Sequence, residues 1–174
     1  MLEAAAPLLR GAGGRALAPV DLHVTLCFLG AVGEAQLAAL RERAGRVTVR
    51  AFELEFEGLA CWRGARILAA TVARVPPAAL ELVQALVGAA QEVGLAQEPR
   101  PWRPHLTLLR GVTAPQLPAG ADREAWPALH LTLRATRFYL AESQGFGAQA
   151  CDAAEAVRAE ARRYRLLDCW ALRP

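Results

Sequence analysis

The sequence contains only three histidines, and each of them opens the same pattern of histidine, apolar residue, threonine and leucine. The pattern starts at His23 ("HVTL"), His105 ("HLTL") and His130 ("HLTL"). Such alternation of polar and apolar residues is typical of a half-buried strand, on which residues two apart face the same side. The pattern therefore predicts strands that carry a histidine and a threonine on one face.

The remaining chain predicts helices and further strands around these segments. Apolar periodicity and proline positions predict helices over 2–10, 33–44 and 78–93. Alternation predicts a strand over 21–29, a hairpin turning at Gly64 between "VTVRAFELEFEGLACWRG" and "ARILAATVARV", and a long strand over 127–140 with "RYRLLDCWAL" as its partner. The Ala-rich segment between Gln144 and Arg163 predicts either a capped surface helix or disorder.

The order of these elements recurs, which predicts two related halves. His23 and His105 occupy equivalent places, each before a long alternating strand. Overlaying the halves puts His130 on Glu53, which belongs to a solvated row of glutamates. We therefore expect His23 and His105 to form a functional pair and His130 to lie on an outer sheet face. The expected organisation is one domain over 1–174, with lobes at about 1–76 and 77–174.

Two such strands side by side would bring two imidazoles and two hydroxyls to one cleft, which suits chemistry at phosphorus. A neutral imidazole takes a proton from water while a protonated one gives a proton to the leaving oxygen, and histidine ordinarily titrates near pH 6.5, at about neutrality. Thr25 and Thr107 could donate hydrogen bonds to nonbridging phosphate oxygens. Arg110, placed past the second motif, could bind a phosphate or could be an exposed arginine at the strand end.

Several alternatives stay open at the level of single residues. Trp102 and Arg103 could stack on or pair with a nucleotide, or Trp102 could fill the core. Trp62 and Arg63 invite the same hypothesis with less support. A metal site would need a third ligand, and only Asp21 stands near His23, so we expect no metal and no cofactor.

Composition describes an ordinary globular domain and excludes some chemistry. The 174 residues are 54% hydrophobic and 21% charged, and the net charge of +3 agrees with an anionic partner. All twenty basic residues are arginine, so a lysine nucleophile is excluded. The four cysteines lack C-x-x-C spacing and are expected to be reduced, packed thiols. Neither a secretory leader nor a membrane segment is predicted, so we expect a cytoplasmic protein. We also expect it to be a monomer.

The two motifs, "DLHVTLCFLG" and "WRPHLTLLR", resemble those of the 2H phosphoesterase superfamily, and the closing "YRLLDCWAL" extends the likeness over nearly the whole chain. The chain is most similar to the RNA 2′,3′-cyclic phosphodiesterase branch, long called 2′-5′ RNA ligases (LigT-like). This resemblance implies a bilobal α+β fold, a pseudo-twofold repeat in which two antiparallel sheets flank a central cleft with helices outside. It also implies metal-independent opening of RNA 2′,3′-cyclic phosphate ends, or of small cyclic nucleotides, to a 2′-phosphate.

By position in the family motifs, His23 would be the proton donor and His105 the proton acceptor, with Thr25 and Thr107 holding the phosphate. The alternatives are nucleotide-independent 2′-5′ RNA ligation and a noncatalytic RNA- or nucleotide-binding protein on the same fold. The chain departs from the family pattern in two places. We expect the family's N-terminal strand to be missing here, and "RALAPVD" stands where an aromatic residue usually precedes the first motif.

Overall fold

A computed structural model describes residues 13–113, 129–144 and 163–174, and these residues form two antiparallel sheets and two long helices. In chain order the elements are β1 (Arg15–Ala16), a 3₁₀ turn (Pro19–Asp21), α1 (Glu34–Arg46), β2 (Phe52–Trp62), β3 (Ile67–Val72), α2 (Pro77–Glu92), β4 (His105–Arg110), β5 (Leu131–Ala135), β6 (Arg137–Ser143) and β7 (Tyr164–Ala171). The predicted α+β class with two antiparallel sheets is confirmed.

The larger sheet has five strands in the order β1-β4-β3-β2-β5, and β6 pairs with β7 in the smaller one. All of these pairings are antiparallel. The larger sheet joins strands from both sides of residue 76, and the single domain with its two lobes stays a prediction. The chain after β7 returns to the segment just before β2, where Arg173 N–H donates to the Val49 carbonyl at 2.9 Å.

One hydrophobic core lies between the larger sheet and α2. Its most deeply buried side chains are Phe56, Leu54, Leu68, Leu82 and Leu109. Leu82 belongs to α2, which starts at a proline, where the missing N–H is not needed. A smaller cluster of Leu40, Ala90 and Leu95 packs α1 against α2. The helices thus cover one face of the sheet and leave the other face for the site.

Two of the predicted helices are confirmed within two residues at each end. The predicted hairpin is confirmed as β2 and β3, which are shorter than the two predicted segments. The long strand over 127–140 is wrong, because it is two strands, β5 and β6, that belong to different sheets and separate at Thr136. The apolar positions change phase there, from Leu131 and Leu133 to Phe138, so one flat strand could not bury all of them. The helix predicted over 2–10 and most of the segment after Gln144, with Cys151, lie outside the described residues.

No helix in the described part of the chain combines the length and the apolar character needed to cross a membrane.

Candidate active site

His105 and Thr107 lie on the same face of β4, as strand alternation requires. Leu106 between them belongs to the core and is 4% exposed. Across the sheet, His105 pairs with Thr71 and Thr107 pairs with Ala69 of β3. The imidazole is half-buried and Thr107 is buried, and β4, which carries the second motif, is an inner strand of the larger sheet.

A β-bulge turns Arg110 onto the face of His105 and Thr107. The register pairs Leu109 with Leu68 and Thr107 with Ala69, so Leu108 has no partner on β3. Leu108 and Leu109 both belong to the core cluster although they are consecutive. A bulge has this effect because two successive residues oppose one on the partner strand, which shifts the alternation by one.

Arg110 is therefore not the exposed residue past the strand that was one sequence interpretation. It is the last residue of β4 and is half-buried. Its Nε is buried and has no hydrogen-bond partner among the described residues. A buried donor without a partner is costly, which points to a ligand that would accept from it.

The first motif does not lie on a strand, so the strand predicted over 21–29 is wrong. The 3₁₀ turn ends at Asp21, and the chain then runs without a ladder partner in the part that the structure describes. The alternation was nevertheless correct, since Leu22, Val24 and Leu26 pack against the core. His23 and Thr25 alternate with these core residues. His23 is half-buried and Thr25 is exposed.

Side-chain donors hold the first motif in place of a neighbouring strand. The Trp102 indole Nε1–H donates to the Thr25 carbonyl at 2.8 Å, and the Gln97 amide donates to the Phe28 carbonyl at 3.3 Å. Trp102 also packs against the core, in agreement with the core interpretation of this residue. Because Trp102 is three residues before His105, its hydrogen bond joins the two motifs directly.

Each histidine is oriented by the same kind of hydrogen bond, between its Nδ1 and a main-chain carbonyl. His23 Nδ1 is 2.7 Å from the carbonyl oxygen of Asp21, and His105 Nδ1 is 2.9 Å from that of Arg103. A carbonyl oxygen can only accept, so each Nδ1 carries the proton and donates it. Nε2 is then the atom of each ring that remains to take or give a proton.

Each imidazole also contacts an aromatic ring from a distant strand at an edge-to-face angle. The His105 ring centroid lies 4.6 Å from that of Trp62, at an interplanar angle of 67°. The His23 centroid lies 4.4 Å from that of Tyr164, at 66°. Trp62 was a weakly supported candidate for nucleotide contact. Tyr164 was missed, because no local pattern marks it.

Asp21 connects the first motif to β7. Its main-chain carbonyl accepts from His23, and its carboxylate accepts from the main-chain N–H of Arg163 at 2.8 Å. The residue after Arg163 is Tyr164, whose ring contacts His23. The acidic residue next to the first motif thus acts as a structural link between two elements that meet at the imidazole.

His130 is exposed just before β5, on the strand face where Thr132 pairs with Glu55 of β2. This is the outer location that the sequence predicted. Arg63 is exposed in the hairpin turn, and Arg103 is exposed while its carbonyl accepts from His105.

Among the described residues, no group of three or more His, Cys, Asp or Glu side chains is placed to hold a metal ion.

Cys27, Cys61 and Cys169 are free thiols. Cys61 is buried, Cys27 is half-buried and Cys169 is exposed, so the prediction that the cysteines are packed is wrong for Cys169. The Cys27 thiol donates to Gln97 Oε1 at 3.0 Å, and burial raises the pKa of this thiol. It therefore stays protonated near neutral pH.

Comparison with known proteins agrees with this geometry. Residues 3–145 match the family model described as the 2′-5′ RNA ligase superfamily. The chain belongs to the 2′-5′ RNA ligase superfamily. A relative in this superfamily, the RNA 2′,3′-cyclic phosphodiesterase of Escherichia coli (strain K12), is 32% identical over 72% of this chain and 72% of its own length.

Solved structures of the superfamily fold agree over most of the chain. The crystal structure of E. coli LigT complexed with 3′-AMP superposes with a TM-score of 0.71 at 29% identity, covering 92% of this chain and 82% of the other. The crystal structure of TT0787 of Thermus thermophilus superposes with a TM-score of 0.73 at 21% identity. It covers 99% of this chain and 89% of the other, and it shows the shared fold.

Proposed function

We propose that this protein hydrolyses RNA 2′,3′-cyclic phosphate ends to 2′-phosphates by acid–base catalysis with His23 and His105. The observation that carries the proposal is the matched pair of imidazoles, each with Nδ1 bound to a carbonyl and Nε2 left for proton transfer. The E. coli relative named RNA 2′,3′-cyclic phosphodiesterase supports the substrate class. E. coli LigT structures with 3′-AMP, ATP and phosphate support nucleotide binding in the same fold.

The two histidines have complementary tasks in this reaction. Neutral His105 accepts a proton from water through Nε2 as the water oxygen attacks phosphorus. The bond from phosphorus to the 3′ oxygen breaks, and protonated His23 gives its Nε2 proton to that oxygen. The phosphate stays on the 2′ oxygen. The family resemblance, not the local geometry, assigns donor and acceptor, since the two imidazoles are held alike.

Thr25, Thr107 and Arg110 hold the phosphate in this proposal. Hydroxyl donors on the histidine faces bind the nonbridging oxygens as negative charge develops there. Arg110 shares the face of Thr107, and its unpartnered Nε would donate to the same anion.

We propose no metal or cofactor for this reaction. The compartment is the cytoplasm, in keeping with the free thiols, and the active form is a monomer.

The proposal is tested with adenosine 2′,3′-cyclic phosphate and a short RNA with a cyclic end, assayed in EDTA from pH 5 to 9. We expect a bell-shaped dependence of kcat/KM on pH, because one histidine must be protonated and the other neutral. The product, identified by phosphorus NMR, should be the 2′-phosphate alone.

His23→Ala and His105→Ala should each lower kcat by about 10²–10⁴-fold. His130→Ala is the matched control and should have wild-type activity. Circular dichroism of every variant verifies the fold. Full activity in either motif variant, or a 3′-phosphate product, would contradict the two-histidine mechanism.

A further inference from the structure

The smaller sheet buries only one of its two faces. Phe138 of β6 and Trp170 of β7 are register partners that stack on each other and pack into the main core. The next pair, Tyr139 and Cys169, points to the opposite side, because successive residues of a strand alternate. Both of these side chains are exposed, and Tyr139 is 50% exposed.

This exposed face leads to the candidate site. Two residues along β6 from Tyr139, Ala141 is also exposed and pairs with Leu166, which is 52% exposed. Tyr164 is two residues before Leu166 on β7, so it lies on the same face. The Tyr164 ring contacts the His23 imidazole. The face is therefore continuous with the site, and Tyr139 stands about 14 Å along the strand from the register of Tyr164.

The side chains of this face suit single-stranded RNA. Unpaired bases stack on exposed aromatic side chains and pack against apolar ones, and a cation nearby meets the backbone phosphates. Arg137 is two residues beyond Tyr139 on the same side of β6 and is exposed. From the site outwards, the face thus presents an aliphatic, an aromatic and a cationic side chain, an order that fits an anionic strand with flat bases.

We infer that the face formed by Arg137, Tyr139 and Leu166 binds the RNA strand upstream of its cyclic end, with one base stacked on Tyr139. The inference rests on the proposed function, which places the cyclic phosphate at His23. Because Tyr139 is remote from that imidazole along the strand, it contacts a base upstream of the reacting nucleotide. A cyclic mononucleotide has no upstream base, so this face gives the enzyme a preference for longer RNA.

The first experiment compares adenosine 2′,3′-cyclic phosphate with a tetra-adenylate that has a cyclic end. The wild-type protein should have the higher kcat/KM on the tetranucleotide. In Tyr139→Ala, the ratio of kcat/KM for the tetranucleotide to that for the mononucleotide should fall about tenfold, as for the loss of one stacked base. Tyr139→Phe keeps the ring and should keep the ratio. Leu80→Ala is the matched control, since Leu80 is also an exposed apolar residue but lies on α2.

A tetranucleotide with abasic upstream positions separates stacking from charge, because it keeps every phosphate. The wild-type protein should lose most of its length preference on this substrate, and Tyr139→Ala should lose nothing further. A length preference that survives without the bases would overturn the inference. So would equal losses of kcat/KM in Tyr139→Ala on the mononucleotide and the tetranucleotide, since Tyr139 would then act on the fold or on the reacting nucleotide.

Cys169 measures binding at this face without catalysis. Its free thiol is exposed and is the register partner of Tyr139, so RNA bound over the face should shield it. A saturating tetra-adenylate with a 2′-phosphate end should slow alkylation of Cys169 by iodoacetamide, followed by peptide mass spectrometry, whereas adenosine 2′-phosphate should not. Such protection would support the site even if the protein hydrolysed neither substrate. Equal alkylation rates with the two ligands would overturn it.

Sedimentation velocity tests the other occupant that an apolar face could have, a second copy of this chain. We expect the wild-type protein to be a monomer at assay concentrations, with Tyr139 available to RNA. A dimer that Tyr139→Ala dissociates would overturn the inference, because the face would then be covered by the second copy.

Discussion

Each histidine of the pair is fixed through its Nδ1, so the main chain determines which tautomer the neutral ring adopts. The aromatic contacts then restrict the tilt of the ring. Trp62 and Tyr164 come from β2 and β7, which lie far from the motifs in sequence. Proton transfer through Nε2 depends on these contacts because a tilted ring would misdirect the proton.

Replacing Tyr164 tests this effect at one imidazole. Tyr164→Ala should lower kcat about three- to tenfold, because such aromatic pairs contribute about 0.5–1.5 kcal/mol. Tyr164→Phe keeps the ring and should restore kcat to near the wild-type value. Steady-state kinetics across pH checks both variants. A raised KM with unchanged kcat would instead indicate that Tyr164 contacts the substrate.

Local patterns could predict the histidines, the threonines and the outer location of His130, because the side a strand residue faces depends on near neighbours alone. They could not predict Tyr164 or the carboxylate contact from Asp21 to Arg163, since both join segments that are distant in sequence. For Arg110 the sequence left two alternatives, and the bulge at Leu108 determines which face it takes.

At the scale of elements, alternation indicates which side chains are buried but not whether a neighbouring strand is present. The hairpin of β2 and β3 was predicted because a short turn joins its strands. The first motif has the same alternation, yet its main chain is held by Trp102 and Gln97 instead of a ladder. Partner strands depend on distant parts of the chain, so this element was mispredicted.

Trp102→Phe tests the link between the two motifs. The change removes the donor to the Thr25 carbonyl, and we expect the free energy of unfolding to fall by about 1 kcal/mol and kcat/KM to fall with it. Urea unfolding and kinetics measure the two effects. Trp170→Phe is the matched control, because Trp170 stacks on Phe138 and its Nε1 donates no hydrogen bond among the described residues. Equal losses of activity in both variants would argue against a specific link.

At the scale of the whole molecule, the chain after β7 ties the smaller sheet to the larger one. Leu172 N–H donates to the Thr136 carbonyl at 2.8 Å, and Ala51 N–H donates to the Arg173 carbonyl at 2.7 Å. Leu172 is 7% exposed and belongs to the main core. The repeat in the sequence predicted two halves but not this connection, which depends on how the halves pack.

Leu172→Ala should therefore lower the free energy of unfolding by about 2–5 kcal/mol, as for other buried leucines. Leu166→Ala, on the same strand–tail segment but 52% exposed, should change it by less than about 0.5 kcal/mol. Urea unfolding followed by circular dichroism compares the two. Similar small effects in both variants would mean that the tail contributes little to joining the sheets.

The bulge in β4 also gives the motif an uneven residue spacing, which can be searched for in other sequences. On a regular strand, a histidine, a threonine and an arginine that share a face would occupy positions 1, 3 and 5. Here they are His105, Thr107 and Arg110, a spacing of two and then three, with two leucines in the gap. A query of the form H-x-T-x-x-R would thus find the bulge together with the site. Deleting Leu108 would give the even spacing H-x-T-x-R, in which a regular strand without the bulge carries all three side chains on one face.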